Sequence, residues 1–206
     1  MTRMKSQHVT SWEWERGWLR QPRDKSKQTG VVVKIGGSLF STPGWQQAIQ
    51  SLVADISLSS RFVAILAGGG ALVDGLRTID ASSTLPDPFV HGLALEAMGI
   101  TSQLVATTLK LPLGEDGMGV SPIVLDMRKR GVVRNAIESL PHSWDTTSDS
   151  IAAAVAASTE SALLLVKSTP PPAYDIEYLA SKGWVDHSFP TACMKLEDIR
   201  WAALRQ

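Results

Sequence analysis

Apolar positions along the chain follow two alternating periods. Val31, Val32, Val33 and Ile35 form a short β-branched run around Lys34, the composition of a strand buried on both faces of a parallel sheet. After Pro43 and Gly44, apolar residues Trp45, Ala48, Ile49, Leu52, Val53 and Ile56 recur at helical spacing. A second buried-strand run covers 62–67, and helices are expected at 71–79 and 91–109. The alternation repeats with a strand at 122–125, an alanine-rich helix at 147–158 and a strand at 162–166. Pro170, Pro171 and Pro172 then interrupt, and helical segments at 175–181 and 196–204 finish the pattern. Strands alternating with helices predict an α/β fold, a three-layer sandwich with a largely parallel sheet.

Residues 1–28 follow neither period. They carry seven basic side chains against three acidic ones, with Trp12, Trp14 and Trp18 among them. The expectation is a flexible N-terminal extension whose tryptophans dock on the body, with a partner-binding arm as the sharper alternative. Residues 29–206 are expected to make a single domain.

Composition narrows the class. The chain has 206 residues, 44% hydrophobic and 19% charged, enough for a full core. Twenty basic and twenty acidic residues cancel, which argues against nucleic acid as partner and gives no field for an anionic membrane. Cys193 is the single cysteine, expected to be a small buried side chain, and implies no oxidising compartment. No window reads as a membrane span of roughly 20 apolar residues, so a soluble cytoplasmic protein is expected.

The chemistry is expected where strands end in glycine. Gly36-Gly37-Ser38 follows the first strand and Gly68-Gly69-Gly70 the second, and each loop leads toward a helix. In open α/β sheets, ligands bind beyond the carboxyl ends of strands, where backbone N–H groups and helix N-termini favour anions. Lys34 adds a mobile positive charge suited to phosphate. There is no Gly-Lys-Ser/Thr, so the loop is not of Walker type. The second loop lacks the spaced third glycine of the dinucleotide fingerprint, which disfavours a nicotinamide-dependent oxidoreductase. His-Glu-x-x-His, Cys-x-x-Cys and Gly-x-Ser-x-Gly are absent too.

Val33-Lys34-Ile35-Gly36-Gly37-Ser38, then Gly68-Gly69-Gly70, then Thr147-Ser148-Asp149-Ser150-Ile151-Ala152-Ala153 resemble, in this order, the amino acid kinase superfamily of acetylglutamate, aspartate and uridylate kinases. The likeness spans roughly residues 30–168. Gly68 to Arg77, His91 to Met98 and Trp144 to Ser150 are similar to a small subgroup that contains the methanofuran-biosynthesis kinase. That enzyme acts on the phosphate of an aminomethyl-furanmethanol and makes a diphosphate.

The resemblance implies an amino acid kinase-like fold and an ATP- and Mg²⁺-dependent phosphotransferase. The acceptor would be a small anionic metabolite, itself phosphorylated in the subgroup and tied there to methanofuran- and tetrahydromethanopterin-linked one-carbon cofactor biosynthesis. Lys34 would hold the transferred phosphoryl group, while Gly36, Gly37 and Ser38 donate to the nucleotide phosphates. Gly68, Gly69 and Gly70 would let the acceptor approach, and Asp149 would orient a lysine or the Mg²⁺. No residue is assigned as a metal ligand. Relatives pair through a helix beside the second glycine loop, which implies a homodimer.

The chain also departs from the pattern. Lys167-Ser168-Thr169-Pro170 stands where relatives carry a Thr-Asp-Val-Asp-Gly-like loop, and 39 residues follow Lys167. A reduced C-terminal nucleotide lobe is therefore expected, with Lys167 and Lys195 both candidates for a second phosphate-binding lysine. That departure favours the competing function, a catalytically inactive nucleotide- or metabolite-binding protein that keeps the kinase fold. Several residues keep two readings. Asp149 caps a helix or serves chemistry, Arg77 meets an anionic acceptor or faces solvent, and His91 contacts substrate or is structural. Asp186 is an ordinary charge unless the C-terminal part closes over the site, and Trp144 reads as core.

Overall fold

The computed structural model describes residues 13–23, 30–115, 121–129 and 131–204. Six parallel strands form the sheet: β2 (Val31–Ile35), β3 (Val63–Ala67), β4 (Leu113–Gly114), β5 (Ile123–Leu125), β6 (Ala162–Lys167) and β7 (Ile199–Leu204). A seventh, β1 (Trp14–Arg20), pairs antiparallel with β7, and the order is β1-β7-β6-β2-β3-β5-β4. The α/β sandwich expected from periodicity is the fold observed.

The sheet has core on both faces because its central strands alternate between two buried clusters. Val31, Val33 and Ile35 pack with α1 (Trp45–Ser57), while Val32, Leu163 and Leu165 pack with α5 (Ser148–Ser158). Each such buried aliphatic side chain contributes roughly 1.5–3 kcal/mol of transfer free energy. α2 (Ala71–Ser83), α3 (Asp87–Leu109), α4 (Val132–Glu138), α6 (Ile176–Ser181) and α7 (Phe189–Ala192) complete the layers. Residues of α3 enter both clusters. α3 reaches the length and hydropathy of a membrane span, which the apolar-window expectation denied. Burial of 61% of its apolar window makes it a core helix here.

Two expectations fail at the sheet edge. Residues 196–204 were expected to be helical, but 199–204 are β7, in register with β6 from Leu163↔Ile199 to Lys167↔Ala203. Ile199, Trp201, Ala202, Ala203 and Leu204 are all buried, and a run buried on both faces carries no period that separates strand from helix. Residues 14–20, expected to be irregular, form β1. Its side chains are half-buried or exposed, as suits an edge strand held by its ladder to β7. The rest of the 1–28 extension lies outside the described residues, apart from 13 and 21–23.

Candidate functional site

The chain crosses from β2 to β3 on one side and later returns to place β6 on the other side of β2. β2 is thus the point where strand order reverses, and a crevice opens beyond its carboxyl end. A cleft of about 600 Å³ lies there, lined by both glycine loops, α2, α3, the start of α5 and the segment between α6 and α7.

Strand alternation aims two lysines into it. Lys34 follows Val32 at a two-residue step onto the α5 face, and Lys167, ending β6, follows Leu163 and Leu165 onto the same face. Asp149, in the first turn of α5, lies between them. Its Oδ1 is 2.9 Å from the Lys34 Nζ, and its Oδ2 accepts from the Lys167 Nζ at 2.8 Å. Lys167 also donates to the Trp184 carbonyl at 2.9 Å, and its ammonium lies 5.5 Å from the Trp201 ring centroid.

Burial by itself would push the Asp149 carboxyl up, but Lys167 and Lys34 together hold it below the ordinary carboxylate range. Lys167 is lowered to about 8, first by burial and further by Lys34, against the opposing pull of Asp149. Lys195 is not part of this group. It lines a second cleft with Gly30, Glu160 and Asp198, at the opposite ends of β2 and β6. The segment after β6 therefore brings one of the two candidate lysines, Lys167, to Asp149.

The glycines are required by the two loops themselves. A Cβ on Gly37 would lie 2.1 Å from the Gly70 nitrogen, and one on Gly70, at φ +54°, would meet the Gly37 oxygen at 2.8 Å. Contact between loops thus demands glycine before any ligand arrives. Gly37, Gly68, Gly69, Gly70 and Ser38 line the cleft, and the Ser38 hydroxyl is 3.1 Å from that of Ser168. Gly36 does not line it. Its N–H donates to the Val166 carbonyl at 2.7 Å, so it has none to give a nucleotide phosphate.

The α5 terminus corrects a further expectation. No side chain from 146–150 caps it; Asp186, between α6 and α7, does so from a distance. Its Oδ2 accepts from the N–H of Thr147 at 2.9 Å, the Thr147 hydroxyl at 2.7 Å and the N–H of Ser150 at 3.0 Å. Its Oδ1 accepts from the Ser150 hydroxyl. Burial and the nearby Asp149 charge push the Asp186 carboxyl up, while these bonds pull it back. No local spacing signals this residue, since it lies 39 residues from its helix cap.

At the other end of the cleft, Arg77 is exposed, pairs with Asp74 at 3.3 Å and stacks 5.0 Å from the centroid of Trp144. The Trp144 indole, expected in the core, lines the cleft and donates to Asp80 at 2.7 Å. His91 is buried and lines the cleft as well.

Among the described residues no three His, Cys, Asp or Glu side chains gather as a metal site. Asp149 is engaged by two lysines and Asp186 by four donors. These residues suit a Mg²⁺ carried on nucleotide phosphates and water rather than one gripped by protein carboxylates.

No protein-family model matches this sequence, and no curated protein matches it either. Among solved structures, uridylate kinase from Archaeoglobus fulgidus superposes with a TM-score of 0.53 at 14% identity, over 85% of this chain and 90% of that one. UMP kinase from Bacillus anthracis gives 0.53 at 11% identity, over 87% and 99%. Aspartate kinase from Synechocystis is a weaker likeness, with a TM-score of 0.49 at 16% identity over 68% and 28%. At such identities the likeness is one of fold: the architecture is that of the amino acid kinases.

Proposed function

We propose that the chain is a phosphotransferase of the amino acid kinase type that moves the γ-phosphoryl group of ATP, with Mg²⁺, onto a small anionic acceptor. One observation carries this reading: two lysines from neighbouring strands converge on a buried carboxylate at the strand-order reversal. Asp149 holds both ammonium groups toward the cleft, and Lys167, which also donates to the Trp184 carbonyl, keeps a further N–H for a phosphate oxygen. An acceptor oxygen attacks the γ-phosphorus, the bond to the bridging oxygen breaks, and ADP leaves with the electron pair. Charge spreads over the equatorial oxygens, and Lys34 and Lys167 neutralise it there. Gly37 and Ser38 border the phosphates, and Gly68, Gly69 and Gly70 the acceptor, with Arg77 the cation for its anionic group and His91 beside it.

Phosphate monoesters are the acceptors to try first. UMP is named by the structural neighbours, and the aminomethyl-furanmethanol phosphate of one-carbon cofactor synthesis is implied by the subgroup motifs. A cytoplasmic setting belongs to this reading. So does a homodimer through α3, whose Phe89, Ile100 and Leu104 are exposed.

The test is calorimetric titration with MgATP, followed by measurement of ADP formed with each acceptor. Wild type should bind ATP, and Lys34→Met should weaken it about tenfold or more, the value of a charge-assisted phosphate contact. ATP bound but consumed with no acceptor would favour the non-catalytic binding protein. No ATP binding would remove both nucleotide readings.

A further inference from the structure

The start of α5 is capped from a distance although a local cap is at hand. Thr147 occupies the N-cap position, where a threonine hydroxyl ordinarily accepts from the first helical N–H groups. Here that hydroxyl is turned outward and donates to Asp186. Asp186 also accepts from the N–H groups of Thr147 and Ser150, which bracket Asp149 in the chain, and from the Ser150 hydroxyl. Such a cap is less favourable than a local one, because it partly buries a carboxylate near the like charge of Asp149. Helix capping alone does not call for it.

The same short segment reaches the rest of the phosphate end. The Trp184 carbonyl accepts from Lys167 at 2.9 Å, and the Ser188 N–H donates to the Asp145 carbonyl at 2.9 Å. The Thr146 hydroxyl donates to that of Ser188 at 3.0 Å. The Trp184 ring lies 6.4 Å from that of Trp201, whose indole N–H donates to the Thr169 carbonyl just beyond β6. Residues 184–188 thus bind both the helix turn that carries Asp149 and the strand end that carries Lys167. We infer that Asp186 is a positioning residue for phosphoryl transfer: it fixes the first turn of α5 and so holds the Asp149 carboxylate where it meets Lys34 and Lys167 together. As a statement about turnover this rests on the phosphotransferase reading; the hold on Asp149 does not.

Two variants of the full chain separate aim from charge. Asp186→Asn keeps an oxygen that accepts from Thr147 and Ser150, Asp186→Ala leaves these donors without a partner, and both remove the negative charge. Turnover and MgATP affinity are measured at a temperature where circular dichroism shows each variant folded. Asp186→Ala should lower kcat about tenfold or more, by a larger factor than it lowers ATP affinity, and Asp186→Asn should restore most of the loss. A second readout needs no turnover. Lys167 faces Asp149, Lys34 and Asp186, and the carbon beside its amine is followed by NMR through a pH titration, assigned with Lys167→Arg. The two variants lose the same charge, so a difference between them reports the hold on Asp149. The proton affinity of Lys167 should fall at least about threefold further in Asp186→Ala than in Asp186→Asn, as its counter-charge drifts away.

Equal Lys167 titrations in the two variants overturn the inference. So does full turnover in folded Asp186→Ala, or an asparagine variant no more active than the alanine one. Where Asp186→Ala fails to fold, Ser150→Ala removes one donor from the same carboxylate and keeps its charge. It should show the same loss of kcat over ATP affinity in weaker form, and wild-type kinetics there would overturn the inference too. The two claims fail separately. Wild type that consumes no ATP, with Lys167 titrating differently in the two variants, sinks the kinase and leaves the hold on Asp149. ATP consumption indifferent to Asp186 does the reverse.

Discussion

At the sheet end of the cleft, Lys34, Asp149 and Lys167 pair at 2.9 and 2.8 Å, with side chains no more than 15% exposed. At the helix end, Arg77 and Asp74 pair at 3.3 Å with side chains 45% and 69% exposed. The first group is set by strand register and a helix start, and its members lose their hydration on folding. Its charges satisfy one another through Asp149, and removing Asp149 leaves both lysines buried without a counter-charge. The second pair sits in water, where such contacts are worth at most about 1 kcal/mol. On the proposed phosphotransferase reading, one end would be preorganised for charge that develops in a transition state, and the other would exchange an internal partner for a ligand.

The sharpest way to break this contrast is Asp149→Asn. Two buried ammonium groups would lose their counter-charge, so chemical denaturation should show a stability loss of about 3–5 kcal/mol. Turnover should fall by about 10²–10³ as the lysines lose their aim. Capping cannot mask the result, because Asp186 supplies the α5 cap. The sign with pH is also set. Asp149 lies below its ordinary value, so its contribution is present above the ordinary carboxylate range and lost as pH falls through its lower folded value. The Asn variant should lack that acid limb. A mild Asp149→Asn would move the centre of the site elsewhere.

Next in size is the response of Lys167 to pH. With a folded pKa of about 8, its charge is lost as pH rises through that value, and kcat/KM should fall along a basic limb there. Lys167→Arg cannot deprotonate, so the limb should leave the measurable range even where the plateau is lower. Stability moves the other way. Between about 8 and the ordinary lysine value of 10.5, the unfolded chain binds more protons, so wild-type stability should rise with pH across that window.

Changes at the helix end should be smaller and confined to the acceptor. Arg77→Lys keeps the charge but loses the planar fork, and should raise the acceptor KM about five- to tenfold with the ATP KM unchanged. Asp74→Asn removes the competitor for Arg77 and should tighten acceptor binding about twofold, the scale of an exposed helical ion pair. If Arg77→Lys proved more damaging than Asp149→Asn, the two ends would have to exchange roles.

The parts of the site legible in the sequence share one property: their signals are local. Lys34 stands in a β-branched run before glycines, Asp149 opens an alanine-rich helix, and Lys167 ends a buried run, all recognisable within a few residues. Asp186 was illegible because its partners lie 36 to 39 residues away. Trp144 packs partly against the core as expected, but an indole in a loop gives no sign of the Asp80 that anchors it or of its place in the cleft wall. The choice between Lys167 and Lys195 stayed open for the same reason, as both are lysines near strands. His91 kept two readings, and no local signal showed that it would be buried at the cleft wall with His142 stacked on it.

By itself the sequence determined the alternation of strands and helices, the central strands β2, β3 and β6, and the positions of both glycine loops. Those follow from side-chain period and backbone sterics, which act over one or two turns of chain. Tertiary structure decided the strand identity of β1 and β7, the meeting of Gly37 with Gly70, and the cap that Asp186 places on α5. Each depends on pairing or packing between segments far apart in the chain. An apolar run such as 199–204 is compatible with either helix or strand until a neighbour offers its ladder, and here β6 does.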